Sequence, residues 1–155
     1  MSLKLLPVAI IVLIVAYLAS LSFATRQPRL KLENERHLSP CPKTPNCVFS
    51  QSKLEMHAIP AISLIEDNSV LSWEKLIVAI GQAGGEVLID DGRYCYAVFT
   101  SSLFRFKDDL EAELSNSQID IRSASRAGTS DLGKNRKRLE KIRRLYDSPA
   151  LTNGL

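Results

Sequence analysis

The chain has 155 residues, enough for one domain of ordinary size and too few for two. Apolar residues make up 45% and charged residues 24%, which excludes a disordered or collagen-like chain, and three cysteines are too few for a disulfide-built scaffold. The formal net charge is +3, from 20 basic and 17 acidic residues, so no strong overall field points to nucleic acid and none is expected as a partner.

Between Leu5 and Thr25 there is no charged residue, and most of the stretch is Val, Ile, Leu and Ala. At about 1.5 Å per residue it makes roughly 31 Å of helix, close to the hydrocarbon thickness of a bilayer, and it shows no polar face. Residues 1–25 therefore read as a membrane-directed helix, either a signal-anchor or a signal peptide. Ser22-Phe23-Ala24 offers a small-x-small cleavage pattern behind Lys4, although an uncleaved anchor is the preferred reading. The flanking charges, Arg26, Arg29, Lys31 and Arg36 against Lys4, favour a cytoplasmic body. Cysteine usage favours the opposite. We adopt export, to the periplasm or the extracytoplasmic face of the inner membrane.

Residues 26–53 contain Pro28, Pro40, Pro42 and Pro45 and read as a Pro-rich tether and Cys loop. An α+β domain is expected over residues 54–147. The run from His57 to Ile62 is short and apolar, and Pro60 restricts it to an edge strand. Trp73, Leu76, Ile77 and Ile80 recur at helical spacing, with Ser72 as the expected N-cap and Gly84-Gly85 as the stop. The period then changes to two. Val87 and Ile89 recur at that spacing between charged Glu86 and Asp90, Asp90-Asp91-Gly92 marks a hairpin turn, and Tyr94 to Thr100 reads as a central strand. Phe104 and Phe106 alternate with Arg105 and Lys107. Leu110, Ala112 and Leu114 alternate with Glu111 and Glu113, and a turn at Asn116-Ser117 leads to Ile119 and Ile121. The stretch from Asp109 to Ser115 also suits a short helix; a strand is preferred. A last helix from about Lys134 to Tyr146 carries Leu139, Ile142 and Leu145, and residues 148–155 form a flexible tail. The fold expected is α+β: an antiparallel β-sheet packed by two helices, preceded by the membrane-directed helix.

Charge is segregated along this body. Residues 51–125 hold 6 basic and 12 acidic side chains, and residues 126–144 hold 8 and 2. A basic helix docked on an acidic sheet face, or a plainly solvated helix face, accounts for this. A sharper reading is that Arg136, Lys137, Arg143 and Arg144 meet an anionic lipid or an acidic envelope partner.

Cys41 and Cys47, separated by a stretch with two prolines beside an export segment, are expected to form a disulfide. No metal or cofactor is expected, since zinc needs four ligands and, with the two thiols bridged, His37 and His57 remain. Cys95 falls mid-strand and reads as buried filler. His57 reads as structural, and Asp108-Asp109 as a bulge or turn.

Gly128 to Asn135 matches a phosphate-binding P-loop except at its last position, where a Ser or Thr hydroxyl is needed and Asn135 stands. Without repeated parallel βαβ units an NTPase is rejected. What remains is a loop with Arg122, Ser123, Ser125, Arg126, Gly128, Ser130 and Asp131 entering a helix near Asn135. Arg122, Ser125, Arg126, Ser130 and Asn135 are the anion-binding candidates. The plainer reading has Asp131 capping the helix and pairing with Arg122 or Arg126.

The segment CPKTPNCVFSQ from Cys41 to Gln51 and the run IRSASRAGTSDLGKNRKR from Ile121 to Arg138 resemble the domain of unknown function 1499 family. Trp73 and the run from Phe104 to Asp109 fit its pattern too, over about residues 37 to 147. The resemblance implies bacterial or plastid relatives behind a signal or anchor. It implies no activity. The function expected is a non-catalytic cell-envelope accessory or binding module; the alternative is an envelope enzyme acting on an anionic, phosphorylated or carboxylated compound through Arg122, Arg126 and Asp131.

Overall fold

An apolar period of 3.6 giving way to one of 2 at a pair of glycines is what turns this chain from helix into sheet. The computed structural model describes residues 5–25 and 37–149. Helix α1 (Leu5–Ala24) contains a span, Leu6–Ala24, with mean hydropathy 2.5, long and apolar enough to cross a membrane. Residues 26–36 of the expected tether and Cys loop, and residues 150–155 of the expected tail, lie outside the described residues.

The body is one antiparallel sheet, with two helices packed on one of its faces. Strands β3 (Gly85–Asp90), β4 (Tyr94–Thr100), β5 (Lys107–Leu114) and β6 (Gln118–Ser125) form a meander. Beyond β6, β1 (Cys47–Phe49) pairs with its C-terminal half and β2 (Ile62–Ser63) with its N-terminal half. Helices α2 (Ser69–Ala83) and α3 (Lys134–Tyr146) bury Leu76, Ile80, Leu139 and Ile142 against Ala97, Leu110, Ile119 and Ile121. The α+β architecture and the apolar leading helix are as the sequence implied.

Asp108 and Asp109 form neither bulge nor turn but pair regularly within β5 opposite Phe99 and Val98, and four further local expectations are corrected. First, the cap of α2 is Asn68, whose side chain accepts from the Leu71 amide at 3.0 Å. Ser72 lies one turn inside, where its hydroxyl donates to the Asn68 carbonyl and accepts from the Ile65 amide. Second, of the apolar run around Pro60 only β2 is strand. Ala58 makes a single parallel bridge to Phe49, and α3 satisfies the carbonyls between: Arg136 donates to Ala58, and Arg143 to Pro60 and Ala61. Third, Phe104 and Arg105 belong to a loop, because Arg105 turns the backbone left-handed (φ 56°) just before β5. Fourth, Cys47 to Phe49, within the segment read as loop, joins the sheet as β1.

Gly84 closes α2 with φ 101°, a conformation glycine adopts without steric cost. Gly85 is required by proximity: a Cβ there would sit 2.7 Å from the Phe99 ring and 2.8 Å from Ile80. The second face of the sheet is unusual for an antiparallel sheet, since it is buried and charged. Tyr94, Tyr96 and Val98 pack with Leu38 and Ile89, flanked by buried Asp109, Glu111, Asp120, Arg122 and Arg126.

Candidate functional site

The candidate anion-binding residues divide between two faces, because side chains alternate along β6. Ser123 and Ser125 point to α3, while Arg122 and Arg126 point to the charged face. There Arg122 Nη1 donates to Glu111 at 2.6 Å, and Tyr94 donates to the other Glu111 oxygen at 3.2 Å. Arg126 donates to Asp109 at 2.8 Å, to the Tyr96 hydroxyl at 2.7 Å and to the Thr25 carbonyl at 2.9 Å, and Tyr96 donates to Asp109 at 2.6 Å. Burial alone would lower the Arg126 pKa, but the hydrogen bond and charge of Asp109 outweigh it and raise it. Burial pushes both tyrosines upward, helped by Glu111 beside Tyr94 and Asp109 beside Tyr96. A buried pair is held only while both members remain, since either one alone is an uncompensated buried charge. Among the described residues Arg122 Nε and His57 Nε2 are buried without a hydrogen-bond partner.

The expected pairing of Asp131 with Arg122 or Arg126 is therefore replaced by Glu111 and Asp109. Asp131 instead serves α3. Gly133 occupies the N-cap position with no side chain to offer, and the Asp131 carboxylate accepts from the Gly133 amide at 3.0 Å and the Asn135 amide at 2.7 Å. The loop that mimics a P-loop thus carries its own anion where a phosphate would lie. Asn135 is fully buried one step on. Its amide donates to the Asn46 carbonyl and Ser125 hydroxyl, and its oxygen accepts from Ser123 and Arg138. Asn46 in turn donates to the Gly128 carbonyl at 2.7 Å, so the Cys loop, β6 and the start of α3 are bonded into one corner.

Beside that corner opens a cavity of about 710 Å³. Ala83, Phe99, Phe106 and Leu132 contribute apolar lining, and Ser101, Ser125 and Ser130 contribute hydroxyls. Leu18 and Leu21, from the last turns of α1, line it as well. Its basic lining is Lys107, Lys134, Lys137, Arg138 and Lys141. Both of its acids are engaged: Asp131 caps α3, and Asp108 accepts from Arg138 at 2.5 Å while that guanidinium covers the Phe99 ring at 4.6 Å. Ser125 and Ser130 are the anion-binding candidates that reach the cavity.

The basic helix does not lie on an acidic sheet face. Glu111 is on the opposite face, and Glu113 accepts from or pairs with His37 at 2.9 Å. Of the four cations singled out on α3, Arg136 and Arg143 are bonded to carbonyls of the 56–61 segment, and burial, opposed only in part by Asp147, lowers the Arg143 pKa. Lys137 and Arg144 are exposed, together with Lys134 and Lys141. These four recur at i, i+3, i+7 and i+10, one stripe of the helix, with exposed Glu140 to one side.

Cys41 and Cys47 form a disulfide, with their Cα atoms 5.7 Å apart. His57 is 1% exposed and its Nδ1 donates to the Cys47 carbonyl at 2.9 Å. Cys95 is fully buried, and burial with the nearby charges of Asp90 and Asp91 pushes its thiol up to about 12, which removes it as a nucleophile at neutral pH. Among the described residues no three His, Cys, Asp or Glu side chains gather as a metal site. The cavity's apolar part escaped the sequence reading because Phe99, Phe106 and Ala83 come from three separate elements, and each alone reads as core.

The family model described as Protein of unknown function (DUF1499) matches residues 37–145, and the chain belongs to that family. The match begins at the Cys loop and ends in the last turn of α3, leaving α1 outside. No curated protein and no solved structure matches the chain.

Proposed function

We propose that this chain is a non-catalytic binding module, exported and tethered by α1 at the extracytoplasmic face of the membrane, and that the cavity beside α3 takes an anionic amphiphile. The observation that carries the reading is the lining itself. Phenylalanine and alanine side chains suit an acyl or other apolar body, while four lysines surround them and both nearby carboxylates are already engaged. A volume of about 710 Å³ falls in the range of small-molecule sites, roughly 300 to 1,000 Å³. Binding is favoured over catalysis because Cys95 is protonated and buried, and the ionisable groups brought together are ion-paired with one another. The apolar leading helix and the disulfide support export.

The test uses the full chain in a neutral maltoside detergent. Dihexanoyl phosphatidylglycerol should raise the melting temperature by several degrees, because a ligand that binds only the folded state stabilises it. Dihexanoyl phosphatidylcholine should not, and the triple variant Lys134→Glu, Lys137→Glu, Lys141→Glu should lose the response. Equal shifts with both lipids, or none with either, overturn the proposal.

A further inference from the structure

We infer that Leu103 and Leu132, together with the Lys134–Lys137–Lys141–Arg144 stripe, form the face by which the domain lies on an anionic bilayer. Outside α1 these two leucines are the most exposed large apolar side chains among the described residues, at 79% and 83%. They stand on the two loops that wall the cavity, one between β4 and β5 and the other between β6 and α3. Leu132 is also held in the left-handed region, φ 55°, directly before Gly133 at φ 75°. A leucine adopts that conformation at a cost asparagine or glycine would largely avoid, and here it leaves an apolar side chain in water. Neither feature serves the core. Both serve insertion among lipid headgroups, where apolar tips are buried and adjacent lysines meet phosphate.

Position carries the rest of the argument. Leu18 lies six residues before Ala24, the end of the candidate span, or about 9 Å along the helix axis. Because Leu18 and Leu21 line the cavity, the cavity wall sits no farther from the apolar layer than the end of α1 itself. The bond from Arg126 to the Thr25 carbonyl fixes that end against the sheet. The occupant of this face is therefore the membrane that α1 enters. The cavity opens at headgroup level and loads its ligand from the leaflet; only this last step rests on the proposed reading of the cavity.

The full chain in nanodiscs containing phosphatidylglycerol tests the docking. Trp73 is the single native tryptophan and is 4% exposed, so it reports the buried background. Leu132→Trp and, on the other loop, Leu103→Trp should each lose roughly half of the added emission when the lipid acyl chains carry bromine, while the parent chain changes little. Reversing Lys134, Lys137 and Lys141 to Glu should reduce that quenching. Quenching no greater than the parent's at both positions overturns the inference, whether the face is then in water or covered by a second copy. If quenching occurs without the headgroup preference in detergent, the docking stands and the cavity reading falls; the converse pattern separates them the other way.

Discussion

Glu111 is fully buried at the centre of β5, between the Arg122 guanidinium and the Tyr94 hydroxyl. Burial raises its pKa above the ordinary 4.5, and the charge of Arg122 and the hydrogen bonds from Tyr94 and Arg122 offset only part of that rise. A carboxyl whose pKa rises on folding favours the folded state while protonated. Its contribution is complete below its unfolded value and is lost as pH climbs through the folded one. Stability of the parent should therefore fall between about pH 4 and about pH 7, and Glu111→Gln, which cannot ionise, should lose that slope even though it leaves Arg122 without its counter-charge at both pH values. Urea unfolding at the two pH values reads the difference, and a constant gap between the curves would show that burial does not govern this carboxyl. Sequence alone identified Glu111 as acidic within an alternating run, and did not identify Arg122 as its partner. The alternation shows that Glu111 and Arg122 each face away from the apolar positions; the register that sets them opposite one another comes from strand pairing.

At the scale of the element, α3 depends on a carboxylate three residues before its first residue. A helix leaves its first amides unpaired, and here Gly133 has no side chain to satisfy them. Asp131→Ala should cost about 1 kcal/mol of unfolding free energy, the usual loss for a removed cap, and amide exchange at Gly133 and Asn135 should accelerate. An unchanged exchange rate at both amides would contradict the role. The limits of α3 and of β4 were legible because each is marked locally, by a stripe of Leu139, Ile142 and Leu145 or by a run of aromatic and β-branched residues. Strand β1 was not legible: three residues beside a proline-rich loop carry no period, and pairing with β6 alone makes them a strand.

At the scale of the whole molecule, the Cys41–Cys47 bridge ties the loop over the charged face to the sheet edge. Leu38 packs on Tyr94, Tyr96 and Val98, His37 meets Glu113, and Asn46 holds Gly128 and Asn135 at the cavity corner. Closing so small a ring removes about 2 kcal/mol of unfolded-state entropy. Dithiothreitol should therefore lower the unfolding free energy of the native chain by about that amount and leave Cys41→Ser unchanged, as urea denaturation with and without reductant will read. Equal sensitivity in both chains would place the effect elsewhere.

The sequence by itself determined the apolar leading helix, the disulfide partners, the α+β class and the two stripes that make α2 and α3 amphipathic. All of these are local or compositional: a run without charge, a short spacing, a period. The tertiary structure alone decided which of the α3 cations are bonded to the protein's own carbonyls, Arg136, Arg143 and exposed Lys141 among them, since Arg143 differs from Arg144 in what lies opposite it. It also decided what the two faces of β6 meet, Glu111 for Arg122 and the Asn135 amide for Ser125. Side-chain direction is written in the chain; the surface it meets is made by residues distant in sequence, and those are placed only by folding.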